Sequence, residues 1–292
     1  MNVIRASALG YCMGVRRAVS LALDAALSAP RVCVLGHLIH NPQALESLRE
    51  RGIETIEHEN ELPRSLNDTA VIIRAHGIQP EVERRLERRG ARMVDATCPR
   101  VKQSQIRART LSEAGYQVFL AGEKQHGEVA GIHGYAPDCF IVENPAEAEY
   151  AARRLRREAP EKKAALIGQT TLSPEEYRAV ARGIRAALPD LLVIDTICRA
   201  TRERQAALHE LCQAVDAVVV VGGRKSANTR RLFARVTDKP AWLVEDEADI
   251  PPETARYPVI GLSAGASTPD CVIDRVEYAL RRVAAHGSDR GA

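Results

Sequence analysis

Three of the seven cysteines in this chain, Cys12, Cys98 and Cys198, stand in the same sequence context. Each follows a short apolar stretch, precedes a helical pattern, and is followed 24 residues on by a glycine: Gly36, Gly122 and Gly222. At 28 residues past each cysteine comes a polar side chain: His40, His126 and Ser226. A cysteine at a strand-to-helix turn lies beside free backbone N–H groups and the positive end of the helix dipole, which favour thiolate. Thiolate is the form that binds soft metals, so three such sulfurs suit an iron–sulfur cluster or zinc. Structural zinc usually draws on closely spaced ligand pairs that fill four positions, and the chain has no Cys-x-x-Cys pair. Spacings of 86 and 100 residues favour a cofactor assembled from separate units. A cubane held by three thiolates leaves one iron open, and an open metal position means substrate chemistry. The other four cysteines, Cys33, Cys139, Cys212 and Cys271, do not share the repeat position and read as inert thiols.

A second set of residues keeps the same register. A later apolar run in each third of the chain ends in a short loop followed by proline: Ala75-His76-Gly77 before Pro80, Gln169-Thr170-Thr171 before Pro174, and Ala264-Gly265-Ala266-Ser267 before Pro269. With His40, His126, Ser226 and Asn228 these loops supply neutral donors, histidines that can add positive charge, and glycine turns rich in backbone N–H groups. That chemistry suits a diphosphate. The one acid among them, Glu128, fits a proton source better than a phosphate contact. Single histidines are more often structural, and His37, His58, His133, His209 and His286 read that way; the repeat register raises His40 and His126 above it.

The elements that must position these groups follow from the repeat. Short Val/Ile runs alternating with helical patterns imply α/β units with small, mainly parallel sheets, and ligand groups collect at the carboxyl ends of such strands. Proline at the first helical turn marks the helix starts. The expected fold is three α/β domains related by approximate threefold symmetry around a central cofactor site. Boundaries are expected at residues 1–97 (Cys12, His40, His76), 98–197 (Cys98, His126, Glu128, Thr170) and 198–292 (Cys198, Ser226, Asn228, Ser267), with a short flexible tail from Gly287.

Composition excludes several classes. Lys plus Arg (41) nearly balances Asp plus Glu (38), so no basic face for nucleic acid is expected, and runs such as Arg84–Arg89 read as solvated helix faces. No stretch reaches the ~20 apolar residues of a membrane span. The N-terminus does not read as a signal peptide, and a cytoplasmic protein with reduced cysteines is expected. Aromatics make up only 4%, so the core must be built from Ala, Val, Leu and Ile.

These motifs, taken in order, resemble the LytB/IspH family of 4-hydroxy-3-methylbut-2-enyl diphosphate reductases over nearly the whole chain. The resemblance is carried by Gly10-Tyr11-Cys12-Met13-Gly14-Val15, His40-Asn41-Pro42, Ala75-His76-Gly77, Asp95-Ala96-Thr97-Cys98-Pro99, His126-Gly127-Glu128-Val129 and Gln169-Thr170-Thr171-Leu172-Ser173. It continues through Cys198-Arg199-Ala200-Thr201, Arg204-Gln205, Ser226-Ala227-Asn228 and Ala264-Gly265-Ala266-Ser267. It implies a [4Fe-4S] cluster on Cys12, Cys98 and Cys198 and the last reductive step of the methylerythritol phosphate route to isoprenoids. The implied products are isopentenyl and dimethylallyl diphosphates, with electrons from a reduced ferredoxin or flavodoxin. It implies diphosphate binding by His40, His76, His126, Ser226, Ala227, Asn228 and Ser267. Thr170 and Thr201 would stand beside the substrate, and Glu128, with His126 and Thr170, would do the proton chemistry.

Three positions depart from the family pattern: Ala227 where many relatives carry a second serine, Gly127 where proline is common, and Arg74 where small residues are frequent. They leave open a related reductase with another anionic substrate. A non-enzymatic iron–sulfur sensor is the other alternative, and it has no need for the His, Ser, Asn and Glu set.

Overall fold

The computed structural model describes residues 2–287, with side chains through residue 282. The tail expected from Gly287 lies, past Gly287 itself, outside the described residues. The elements run β1 (Asn2–Arg5), α1 (Met13–Ser28), β2 (Arg31–Leu35), α2 (Pro42–Arg49), β3 (Ile53–Ile56), β4 (Thr69–Ile73), α3 (Pro80–Arg88) and β5 (Arg92–Asp95). Next come α4 (Pro99–Glu113), β6 (Gln117–Ala121), α5 (Gly127–His133), β7 (Phe140–Val142), α6 (Pro145–Glu158), β8 (Ala164–Gly168), α7 (Pro174–Arg185) and β9 (Leu192–Val193). The last are α8 (Arg199–Gln213), β10 (Ala217–Val221), α9 (Ala227–Phe233), β11 (Ala241–Val244), β12 (Val259–Ala264) and α10 (Asp270–Gly287).

Among the described residues twelve strands form three four-stranded sheets, ordered β3-β2-β4-β5, β7-β6-β8-β9 and β11-β10-β12-β1. Every strand pair is parallel. The α/β architecture with three similar sheets is therefore the one the repeat predicts. The central strands β4, β6, β8 and β10 are buried at every residue. Strands covered on both faces are continuous apolar runs rather than alternating ones, which is why Thr69-Ala-Val-Ile-Ile73 and Ala217-Val-Val-Val-Val221 read as they do.

One strand crosses the boundaries expected at 97/98 and 197/198. Strand β1 pairs with β12 along Asn2–Arg5 and Val259–Leu262, so the N-terminal strand completes the third sheet. Strands β5 and β9, by contrast, close the sheets of the segments in which they lie. In all three sheets the strand leading into the cysteine is thus the fourth, at one edge. By internal contacts the chain forms two compact units, Met1–Arg16 with Ile39–Glu50 and Arg199–Ala292, and Arg17–Leu38 with Arg51–Cys198. The first unit holds the sheet ending in β1; the second holds the other two.

Helix starts follow local rules. Proline opens α2, α3, α4, α6 and α7. Asn41, Asn144 and Ser173 accept backbone N–H groups as caps, and Ser173 forms a reciprocal capping box with Glu176. Few aromatics mean close backbone packing: alanines 18 and 22 of α1 are fully buried. In the α6–α7 pair a Cβ on Gly183 would lie 2.5 Å from the Pro145 carbonyl oxygen. In the Arg84–Arg89 run Arg84, Arg85, Glu87 and Arg88 are exposed, Leu86 is buried in the core, and Arg89 donates to the carbonyls of Leu62 (2.8 Å) and Pro63 (2.5 Å).

Candidate functional site

The three register cysteines occupy equivalent places. Each directly precedes its helix: Cys98 is the N-cap of α4, and Cys12 and Cys198 stand before α1 and α8. Each backbone N–H donates to a carbonyl in the loop after the third strand of its sheet. Cys12 bonds Ala266 (3.2 Å), Cys98 bonds Ala75 (3.0 Å) and Cys198 bonds Thr170 (2.9 Å). Those carbonyls belong to, or immediately precede, the predicted site residues Ser267, His76 and Thr170. The 24-residue interval also has a structural counterpart. Gly36, Gly122 and Gly222 donate to the last residues of β3, β7 and β11, namely Ile56 (2.7 Å), Val142 (3.0 Å) and Val244 (2.8 Å).

Arginines anchor the cysteine loops. Arg17 of α1 donates to the carbonyls of Asp95 (3.2 Å) and Thr97 (3.1 Å), just before Cys98. Arg107 of α4 donates to Asp195 (3.4 Å), just before Cys198. Arg204 of α8 donates to Gly10 (2.6 Å), just before Cys12, and to Ala200 (3.0 Å). The helix after each cysteine thus steadies the loop of another. Sequence reading had Arg204 only within a motif and missed the roles of Arg17 and Arg107. The shared signal is an arginine five to nine residues after each register cysteine.

None of the seven cysteines forms a disulfide among the described residues. Burial pushes the Cys33 thiol up to about 11 and Cys139 up to about 12, and raises Cys212, so these three are held as thiols. Cys12, Cys98 and Cys198 are half-buried. Partial exposure, a thiol outside any disulfide and a place at a helix start suit a soft-metal thiolate ligand, so the residues present fit an iron–sulfur group.

In the first unit Ser267 Oγ donates to the His40 carbonyl oxygen at 3.1 Å. A Cβ on Gly223 would lie 2.5 Å from that same oxygen, so this loop needs glycine there. Asn41 caps α2 through Oδ1, and its buried Nδ2 has no partner among the described residues; the same holds for Asn228 Nδ2 and Thr229 Oγ1. Such buried unpartnered polar groups are rare in folded proteins. Ser226 accepts the Thr229 N–H at 3.3 Å. Ala227 and Thr201 are buried. Cys12, His40, Thr201, Ser226, Ala227, Asn228 and Ser267 all belong to this unit.

The second unit holds Cys98, Cys198, His76, His126, Glu128 and Thr170. The His76 and His126 rings meet edge to face, centroids 5.1 Å apart. His126 Nδ1 accepts the Glu128 N–H at 3.2 Å, so a neutral His126 carries its proton on Nε2 and presents a donor there. Glu128 is 1% exposed. Its carboxyl is clasped by Thr170, from N–H to Oε1 at 2.6 Å and from Oγ1 to Oε2 at 3.0 Å. Thr170 therefore touches Glu128 with its N–H and hydroxyl and Cys198 with its carbonyl. Sequence reading had Gln169 only within a motif, without a role. Fully buried, it accepts the Glu123 N–H and donates to Thr171 Oγ1 (2.9 Å), bracing the loop that carries Thr170.

Fold and site together define an α/β protein whose strand ends carry thiols, an acid and anion-seeking donors. The LytB protein family profile matches residues 3–281. A 4-hydroxy-3-methylbut-2-enyl diphosphate reductase of Treponema denticola is 47% identical over 288 residues, covering 96% of this chain and 99% of the relative. One from an Anaeromyxobacter species is 40% identical, covering 96% and 97%. The solved E-1-hydroxy-2-methyl-but-2-enyl-4-diphosphate reductase of Plasmodium falciparum matches with TM-score 0.87 and 27% identity, over 95% of this chain and 87% of that one. A solved reductase described as the terminal enzyme of the non-mevalonate pathway matches with TM-score 0.71 and 34% identity, over 96% and 99%. The chain belongs to the LytB family.

Proposed function

We propose that this chain reduces (E)-4-hydroxy-3-methylbut-2-enyl diphosphate to isopentenyl and dimethylallyl diphosphates. In the balanced reaction the allylic C–O bond breaks and a C–H bond forms. Two electrons and two protons are consumed, and the hydroxyl oxygen leaves as water. Cys12, Cys98 and Cys198 would hold a [4Fe-4S] cluster, which when bound would relay the electrons and supply Lewis-acid chemistry toward the hydroxyl. A reduced ferredoxin or flavodoxin supplies electrons from outside. His40, His76, His126, Ser226, Asn228 and Ser267 hold the diphosphate, with backbone donors around Ala227. Glu128 holds the proton delivered to the departing oxygen, and Thr170 orients that carboxyl through its two hydrogen bonds. Thr201 packs beside the substrate.

The observation that carries this reading is that three of seven cysteines alone occupy the same helix-start position after the edge strand of three equivalent sheets. Seven cysteines outside any disulfide also suit a reducing, cytoplasmic compartment. Among the described residues no helix is long and apolar enough to cross a membrane. The test is an anaerobic assay with the allylic diphosphate and a chemical reductant, with iron measured on the same sample. About four irons per chain and formation of both products are expected. Iron-free, colourless protein from anaerobic cells refutes the reading. Iron-loaded protein inert toward the allylic diphosphate would move the substrate to another anion or the role to sensing.

A further inference from the structure

Two of the positions at which this chain departs from its family lie against each other. Arg74 follows directly on β4, and its guanidinium fills a slot whose walls are the backbones of Gly36 and Gly127. A Cβ on Gly36 would stand 2.5 Å from Nη1. One on Gly127 would stand 2.7 Å from Nη2 and 2.8 Å from Cζ. Neither position tolerates a side chain while Arg74 keeps this conformation, proline at 127 included.

The slot does not neutralise its occupant. No carboxylate among the described residues pairs with Arg74, and its one hydrogen bond runs from Nε to the Gly77 carbonyl at a long 3.4 Å. A largely buried guanidinium without an acid pays desolvation with little return, and burial lowers its pKa accordingly. It is packed on the residue after His126, two residues before His76, and those two rings touch. Arg74 sets a permanent cation beside both histidines, which changes what the cradle attracts.

We propose that Arg74 is a diphosphate-binding residue of this chain, seated by Gly36 and Gly127 so that its planar fork meets anionic oxygens beside His76 and His126. Arginine suits this role because it stays charged when desolvated and can grip phosphate in a bidentate manner. The proposal rests on the diphosphate reading above. It assigns two departures from the family pattern to one cause: glycine at 127 is the space that an arginine at 74 requires.

The test uses anaerobically purified, iron-loaded protein and inorganic pyrophosphate as the calorimetric probe. R74S is expected to weaken pyrophosphate about 10- to 100-fold, the loss of one charge-assisted contact. KM for the allylic diphosphate should rise with it, kcat should change less, and iron content and melting temperature should hold. R74K should recover part of the affinity. G127A should weaken pyrophosphate by displacing the guanidinium and have no further effect when combined with R74S, a coupling that an independent glycine would not show. R74S protein that keeps its iron and binds pyrophosphate within about twofold of wild type would overturn the proposal. G127A carries the test if R74S does not fold; G127A binding pyrophosphate as tightly as wild type would likewise overturn it. Pyrophosphate binding that depends on Arg74, in a protein that leaves the allylic diphosphate unreduced, would uphold the anion site and sink the substrate reading instead.

Discussion

Replacing Glu128 with glutamine separates proton supply from architecture. In wild type the carboxyl accepts two hydrogen bonds from Thr170, at 2.6 Å from the N–H and 3.0 Å from the hydroxyl. The amide of E128Q keeps an oxygen toward the N–H. It turns its NH2 toward the hydroxyl, which rotates to accept. Both contacts survive, and a neutral amide at a 1%-exposed position carries no larger desolvation penalty than the protonated carboxyl it replaces. Net stability should therefore stay within about 1 kcal/mol of wild type. Turnover should fall by about 10²- to 10⁴-fold, the usual contribution of a positioned general acid. The measurements are anaerobic turnover with a chemical reductant, iron per chain, and urea unfolding on one preparation. E128A is the contrasting variant: it strands the buried Thr170 N–H, so stability should drop by about 1–3 kcal/mol as well. Turnover of E128Q within tenfold of wild type, or loss of iron in proportion to activity, would refute Glu128 as the proton source.

C12S, C98S and C198S should each lose cluster iron on anaerobic purification, while C33S and C139S should keep it; equal iron in all five would refute the ligand assignment. R204L should leave Gly10 unanchored and shorten the lifetime of the cluster in air, read as the decay of visible absorbance, without raising KM. G183A should destabilise the chain by about 1–3 kcal/mol in urea melts, because a methyl group there meets the Pro145 carbonyl of the neighbouring helix. Stability should also fall in alkali. The folded-state thiols of Cys33 and Cys139 lie at about 11 and about 12, above the ordinary value of 9.0, so the unfolded chain loses these protons first. Their contribution is complete below pH 9 and is lost as pH rises toward 11 and 12; urea melts at pH 8 and pH 10.5 should show the drop, and it should shrink in C33V/C139V.

Much of this molecule is written in local pattern. The Cys-to-Gly interval is a helix plus a strand, and a helix and strand of set length need little beyond apolar periodicity and a proline or capping residue to specify them. Hence Cys12, Cys98 and Cys198 are legible as helix-start cysteines, and the apolar runs at 69–73, 164–168 and 217–221 as buried parallel strands. Strand pairing is not local. That Asn2–Arg5 completes a sheet with Val259–Leu262 is decided by which exposed edge is free to accept it, and nothing in the four residues says so. The same limit governs the site. Glu128 and Thr170 are each visible as polar residues at strand ends, but only the folded chain brings the hydroxyl and N–H of one onto the carboxyl of the other, 42 positions away. Arg74 and Gly127 read in sequence as two unrelated oddities. Packing makes them one feature, because a guanidinium and a β-carbon cannot occupy the same space.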